Sequence, residues 1–207
     1  MKIKRLLLGE LGTNCYTVSG EDFAFIIDPA DVSEELISFA NENKCKKYKY
    51  ILLTHCHIDH ILGVQGVKEI WNCPIVIGEK EADSLKNPNE NLSTYIFGKE
   101  YSLSADLTVK NGEVIPLGSA EISVLETPGH TKGSVCYILG DNMFSGDTLF
   151  KGTIGRTDFP TSNIEDMART LEMLSKMGKD YNLYPGHDDA TTLSREKKFN
   201  QYMRYFI

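Results

Sequence analysis

Residues 1–207 read as one α/β domain with two sheet-forming halves. Short apolar runs of strand length alternate with periodic segments of helix length, the pattern of mixed α/β chains. No linker, low-complexity run or internal repeat divides the chain. Its length suffices to bury about 70 % of the surface that the unfolded chain exposes.

The elements follow in order. The N-terminus reads as a first strand. Tyr16 to Asp28 gives two short β segments separated by a turn at Ser19-Gly-Glu-Asp22. Ser33 is placed to cap a helix over Glu34 to Asn43, with acidic residues in its first turn and lysines beyond its end. Tyr48 to Thr54 is apolar and suits a buried strand. Ile58 to Ile70 reads as a helix despite Gly63 and Gly66, and residues 79–112 as a mobile excursion with some helix near Glu79–Lys86. Glu113 to Thr127 and Ser134 to Leu139 are strand-like, Asp141-Asn142 marks a turn, and Met143 to Ser145 leads into Gly146-Asp147. Apolar residues at 164, 167, 168, 171 and 174 predict an amphipathic helix over Asn163 to Lys176.

Composition narrows the function classes. Apolar residues make up 41 % and charged residues 25 %, as in a globular protein rather than a disordered one. With Lys plus Arg at 22 and Asp plus Glu at 29, the formal charge is −7. Phosphate binding needs clustered cations, and no basic, aromatic-interleaved run occurs, so no nucleic-acid partner is expected. The cysteines (Cys15, Cys45, Cys56, Cys73, Cys136) form no CxxC pair, which argues against a disulfide framework and a thiolate zinc knuckle. The leading lysines precede a run of only three leucines, short of the about 7–15 apolar residues of an export signal. No stretch approaches the ~18 residues of a membrane-spanning helix. A cytoplasmic protein without membrane contact is expected.

The chemistry concentrates in His55-Cys-His-Ile-Asp-His60, directly after the buried strand. In an extended exit, positions i and i+2 project to one side, so His55 and His57 can converge on one ion while Cys56 points away into packing. Asp59 and His60 then fall in the first turn of the following helix and can aim at a neighbouring ion. Four ligands within six positions do not close on one tetrahedral metal, so the spacing favours two ions. His130 and His187 both sit in Pro-Gly-His turns, and Asp147 follows a strand. Each of these alone reads equally as a turn residue. Together they place every histidine of the chain at the mouth of a strand, with an aspartate positioned to bridge.

In order and spacing, His55-Cys-His-Ile-Asp-His60, Pro128-Gly-His-Thr-Lys-Gly-Ser134, Ser145-Gly-Asp-Thr-Leu-Phe150 and Pro185-Gly-His187 resemble the metallo-β-lactamase fold superfamily. Gly152-Thr-Ile-Gly-Arg-Thr-Asp-Phe159 and the tail from Thr191 to Asn200 resemble, more narrowly, the small glyoxalase-II-like hydrolases. The resemblance implies a four-layer αββα sandwich with metals at one edge of the two sheets. It implies one site from His55, His57 and His130, a second from Asp59, His60 and His187, and Asp147 bridging them. It also places Arg156 where larger relatives hold glutathione's carboxylate; a surface salt bridge is the alternative for that side chain. The chain departs from glyoxalase II in ending twenty residues after His187, with room for one helix but not for that family's helical domain.

The expected activity is hydrolysis of a thioester or ester of the S-acylglutathione type by a monomer or small homo-oligomer. Two divalent cations, zinc with iron or manganese as alternatives, would lower the pKa of a shared water from about 16 towards 7 and polarise the carbonyl. Asp59, besides ligating, could orient the attacking water as the catalytic carboxylate. Persulfide dioxygenases, which use one iron, share the histidine pattern and the Gly-Arg-Thr-Asp-Phe string at 155–159, and stand as the alternative. A nuclease is disfavoured by charge, and a β-lactamase because those enzymes generally lack a carboxylate at the Asp147 position. A non-catalytic metal protein is argued against by the intact ligand set.

Overall fold

Strand order explains how distant segments reach one edge. In the computed structural model, which describes residues 1–206, β1 (Lys2–Leu8), β2 (Thr13–Ser19) and β3 (Phe23–Ile27) form an antiparallel meander. Parallel strands β4 (Tyr48–Leu53), β5 (Ile75–Gly78) and β6 (Leu107–Val109) then extend that sheet. The second sheet runs in the order β12-β11-β10-β9-β8-β7. Its strands are β7 (Val114–Leu117), β8 (Ala120–Glu126), β9 (Val135–Leu139), β10 (Asn142–Gly146), β11 (Asn182–Pro185) and β12 (Thr191–Thr192).

Three apolar clusters give the layers. Between the sheets lie Phe25, Ile27 and Leu52 from one side and Val124, Tyr137 and Phe144 from the other. The outer face of the first sheet is covered by α1 (Glu34–Glu42) and α3 (Val64–Trp71), where Trp71 meets Phe39 edge-on at 5.8 Å. The outer face of the second is covered by α5 (Ile164–Ser175) and α6 (Leu193–Phe199) through Met167, Leu171 and Leu193. This is the expected αββα sandwich of two mixed sheets with flanking helices. Each fully buried Phe or Leu contributes about 1.5–3 kcal/mol, and the central layer is dense in them. Phe144 packs on Tyr16, Phe25 and Tyr184 at ring distances of 5.5, 6.2 and 5.2 Å, tying β2 and β3 to β10 and β11.

The local signals behave as their chemistry requires. Ser33 accepts the Leu36 N–H and caps α1; Asn163 accepts the Glu165 and Asp166 N–H groups and caps α5. The predicted helix over 58–70 is corrected to two pieces, α2 (Ile58–Ile61) and α3. Gly63 breaks it, because its N–H turns to Pro29 O at 2.9 Å, and a Cβ there would stand 2.6 Å from the Asp31 main chain. The run 113–127 is a hairpin rather than one strand, turned at Gly118 with φ +73°. Residues 79–112 are not an excursion. They hold 3-10 turns at Glu79–Glu81 and Ser84–Lys86, helix α4 (Ser93–Phe97) and strand β6, and bury Leu85, Asn91, Leu92 and Leu103. Weak periodicity hid them because each piece is short and joins a core built elsewhere. Among the described residues, no helix is long and apolar enough to cross a membrane.

Candidate metal centre

Strand β4 leads to His55, β8 to His130, β10 to Asp147 and β11 to His187, all beyond carboxyl ends of strands on one edge of the sandwich. Ligand sites favour such an edge because the loops there converge from separate strands. All seven predicted ligands come together. Their donor atoms fall into groups within 4.8 Å of one another: His55, His57 and His130; Asp59, His60 and His187; and His55, His60 and Asp147. Asp147 sits between them, with Oδ1 3.3 Å from His60 Nε2 and Oδ2 3.5 Å from His130 Nε2 and 3.6 Å from His187 Nε2.

The outer partners fix how the imidazoles face. Thr54 gives its hydroxyl proton to Asp28 Oδ2 at 2.6 Å, so its oxygen accepts His55 Nδ1–H at 3.1 Å. His60 Nδ1–H donates to Asp28 Oδ2 at 3.0 Å, and His130 Nδ1–H donates to Arg156 O at 2.8 Å. Each of these bonds occupies Nδ1 and turns Nε2 inward, the arrangement by which outer partners prepare histidine for a metal. His57 approaches from the other side, its Nδ1 2.9 Å from His130 Nε2. The Nε2 atoms of His55, His57 and His60 and Oδ1 of Asp147 are buried without a hydrogen-bond partner. Native interiors rarely leave such atoms unsatisfied unless a function or an ion uses them. Neutral imidazoles and carboxylates in this set fit divalent zinc, iron or manganese.

Electrostatics divides the site. Burial, reinforced by neighbouring histidines, pushes His55 well below the ordinary range and His57 down to about 3, so both are neutral. Burial opposes charge on His60 too, yet Asp147, Asp59 and Asp28 around it draw its pKa well above the ordinary value. His187 is raised in the same way by its bond to Asp59 and by Asp147. Asp59 and Asp147 resist burial through His60 and His187 and lie below the ordinary carboxylate range. The carboxylate side therefore gathers positive charge, while His55 and His57 offer neutral lone pairs.

Residues that composition and spacing do not reveal complete the site. Asp28 holds Thr54 and His60 from a left-handed backbone at φ +49°, a position the sequence marks only as the end of a strand before Pro29. Asn14 Nδ2 and Tyr16 OH donate to Pro185 O at 2.9 and 2.7 Å, so the first sheet holds the His187 loop. Gly186 is obligatory, since a Cβ would stand 2.3 Å from Asp147 Oδ1 and 2.6 Å from His60 Cε1. Arg156 lies at the rim, its guanidinium paired with both oxygens of Asp158 at 2.9 and 2.8 Å and stacked over Phe159 at 4.4 Å. The surface ion pair anticipated as its alternative is thus formed, with the side chain still lining the mouth. Cys56 packs in the outer cluster, as predicted.

The centre opens into a cavity of about 310 Å³, walled by Leu92, Phe150, Ile154 and Phe159. A neighbouring cleft of about 640 Å³ shares Leu92, Arg156 and Phe159 with it. A cavity of about 710 Å³ between β1, β2 and α1 shares no residue with this chemistry and contains no histidine.

The model of the metallo-beta-lactamase superfamily matches residues 8–187. The chain belongs to this superfamily. A probable metallo-hydrolase of Streptococcus pyogenes is 34 % identical over 212 residues, spanning 98 % of this chain and 90 % of its own. Among solved structures, BLEG-1 B3 metallo-beta-lactamase superposes with a TM-score of 0.89 at 30 % identity, covering 98 % of this chain and 99 % of that one. TTHA1623 in a di-iron-bound form gives 0.82 at 28 % identity, over 96 % and 99 % of the two chains. ETHE1 from Myxococcus xanthus gives 0.78 at 27 % identity, over 100 % and 88 %. The expectation of a metal-dependent hydrolase agrees with the superfamily and with the streptococcal relative.

Proposed function

We propose that this chain hydrolyses a thioester or ester of a small molecule, glyoxalase-II-like, with an S-acylglutathione-type substrate, at a centre of two divalent cations. The observation that carries the reading is Asp147, whose two oxygens face histidines of both donor groups, His130 on one side and His60 and His187 on the other. His55, His57 and His130 would hold one cation, Asp59, His60 and His187 the other, and Asp147 both. Once bound, such a pair supplies a nucleophilic water at neutral pH and polarises a carbonyl oxygen. Zinc is the proposed metal, and the di-iron form of TTHA1623 keeps iron beside it.

The chain's own groups bind and orient around that centre. Asp59 is held by His187 Nε2 at 3.2 Å and Thr13 Oγ1 at 3.4 Å, and its lowered pKa keeps it an acceptor that orients the attacking water. Phe150, Phe159 and Leu92 screen the carbonyl from bulk water, and the adjoining cleft has room for the carrier portion of the substrate. Arg156, on the rim shared by both, can exchange its Asp158 partner for a substrate carboxylate, a bidentate match for a guanidinium.

The test is metal content by elemental analysis on protein purified without added metal, paired with S-lactoylglutathione turnover on the same sample. About two ions per chain with chelator-sensitive turnover is the expected result. One iron per chain, no hydrolysis and oxygen uptake with glutathione persulfide would instead establish the second reading, a mononuclear-iron persulfide dioxygenase. The likeness to ETHE1 and the Gly155-Arg-Thr-Asp-Phe159 string favour that reading. Because BLEG-1 is a B3 metallo-beta-lactamase, a β-lactam belongs in the same assay, and rapid β-lactam turnover without thioester turnover would displace both.

A further inference from the structure

His55 and His57 leave the first sheet on the loop after β4, and His130 leaves the second on the loop after β8. These histidines meet only if the two loops are fixed to each other. A main-chain bond from Val135 N–H to Thr54 O, 2.9 Å, joins them at the base. Beyond it, the Glu81 side chain spans the gap. Glu81 Oε2 accepts the Cys56 N–H at 2.9 Å, and Glu81 Oε1 accepts the Gly133 N–H at 2.8 Å. Cys56 lies between His55 and His57, and Gly133 lies three residues after His130. Glu81 is 0 % exposed. A carboxylate is costly to bury, and persists where charge-assisted hydrogen bonds compensate.

The fit on either side leaves little slack. A Cβ on Gly133 would stand 2.8 Å from Glu81 N and 2.7 Å from Lys80 Cβ, and one on Gly78 would stand 2.7 Å from Gly133 O. Residues 78–81 are therefore seated directly on the loop that carries His130, and a displacement of one moves the other.

We propose that Glu81 is a positioning residue of the metal centre, its carboxylate clamping the Cys56 and Gly133 amides so that His55 and His57 meet His130 at one cation. The residue type follows from the geometry. A carboxylate presents two acceptors to two N–H groups on different loops, whereas glutamine presents one acceptor and turns a donor against the other N–H. The inference rests on the reading of His55, His57 and His130 as ligands of one cation.

The test uses Glu81→Gln in the full chain, with Leu36→Ala, a core truncation in α1, as the control for general destabilisation. Metal-stripped samples are titrated with Zn²⁺ and Co²⁺ against a chromophoric chelator, and the visible spectrum of the Co²⁺ form is recorded. Glu81→Gln is expected to bind about 10–100-fold more weakly at one site, as loss of an outer partner does, with altered ligand-field bands. Leu36→Ala should melt earlier yet keep the parent's affinity and spectrum. Unchanged affinity and bands in Glu81→Gln overturn the clamp while leaving the ligand reading intact, and an equal loss in Leu36→Ala overturns it too. A parent that binds neither metal sinks the ligand reading and the clamp with it, whatever the turnover assay shows. If Glu81→Gln does not fold, amide exchange in the parent decides: slow exchange of the Cys56 and Gly133 N–H groups is expected, and exchange at open-loop rates overturns the proposal.

Discussion

Asp28 Oδ2 accepts His60 Nδ1–H at 3.0 Å between side chains that are 2 % and 0 % exposed. The same carboxylate accepts the Thr54 N–H at 2.8 Å and the Thr54 hydroxyl at 2.6 Å, and Thr54 in turn faces His55 Nδ1. One carboxylate thus orients histidines on both sides of the centre. Asp28→Asn keeps the shape but turns an NH₂ towards one of these donors. A buried group left unsatisfied costs about 1–3 kcal/mol, which lowers the melting temperature by roughly 2–4 °C per kcal/mol at this chain length. Metal affinity should fall about 10–100-fold. Thermal denaturation and metal titration check the two effects separately, and an unchanged affinity would mean that His60 needs no such orientation.

Gly186→Ala tests how tightly the second donor group is assembled. The added methyl would meet Asp147 Oδ1 at 2.3 Å and His60 Cε1 at 2.6 Å, so either the His187 loop or Asp147 must move. Displacement of a catalytic group by about 1 Å can cost on the order of 100-fold in rate. Turnover is expected to fall by about that factor, with a loss of one metal equivalent in elemental analysis. Full metal content together with parental turnover would show that the loop yields without cost.

Of the seven candidate donors, His55, His57, Asp59 and His60 were legible from residue type and from their spacing at a strand end, while His130, Asp147 and His187 joined them through the order of motifs that carries the family resemblance. Their support was not. Asp28, Thr54 and Glu81 act through contacts 25 to 52 residues away in sequence, and a lone Asp, Thr or Glu has no local pattern that distinguishes a buried clamp from a surface residue. The fold shows the same division. The cap at Ser33 and the amphipathic helix from Asn163 are local and were readable. The break at Gly63 and strand β6 depend on what packs against them, Asp31 and β5, which no window of sequence contains.

Arg156→Ala separates a binding role from a surface one. Its partner Asp158 and its own side chain are each 65 % exposed, so the ion pair adds little to stability. The melting temperature should hardly change. For a thioester whose carrier bears a carboxylate, KM is expected to rise about 10-fold with kcat unchanged, the signature of lost uniform binding. A carrier without the carboxylate should show no change. Equal KM values for both carriers, before and after substitution, would leave Arg156 with only its Asp158 bond.

Stability of the chelator-treated protein should depend on pH through the histidines that burial keeps neutral. His57 is pushed down to about 3, and His55 also lies well below its ordinary value of 6.5. A base whose folded pKa is depressed contributes stability that is full above the unfolded value, here 6.5, and is lost as the pH falls through the window towards the folded value. Each such histidine that takes up one proton on unfolding gives a slope of about 1.4 kcal/mol per pH unit. His60 and His187 are shifted upward, so below 6.5 they are protonated in both states and add no slope. Their own contribution is instead lost as the pH rises through their raised values. Asp59 and Asp147, held below the ordinary 3.8, enter only under that pH. Urea midpoints at pH 7, 6, 5 and 4 are therefore expected to fall steadily below 6.5, and His57→Gln should remove about one proton's share of the slope. A flat profile from pH 7 to 4.5 would mean that these imidazoles take up no proton on unfolding, and that water already reaches them in the folded chain.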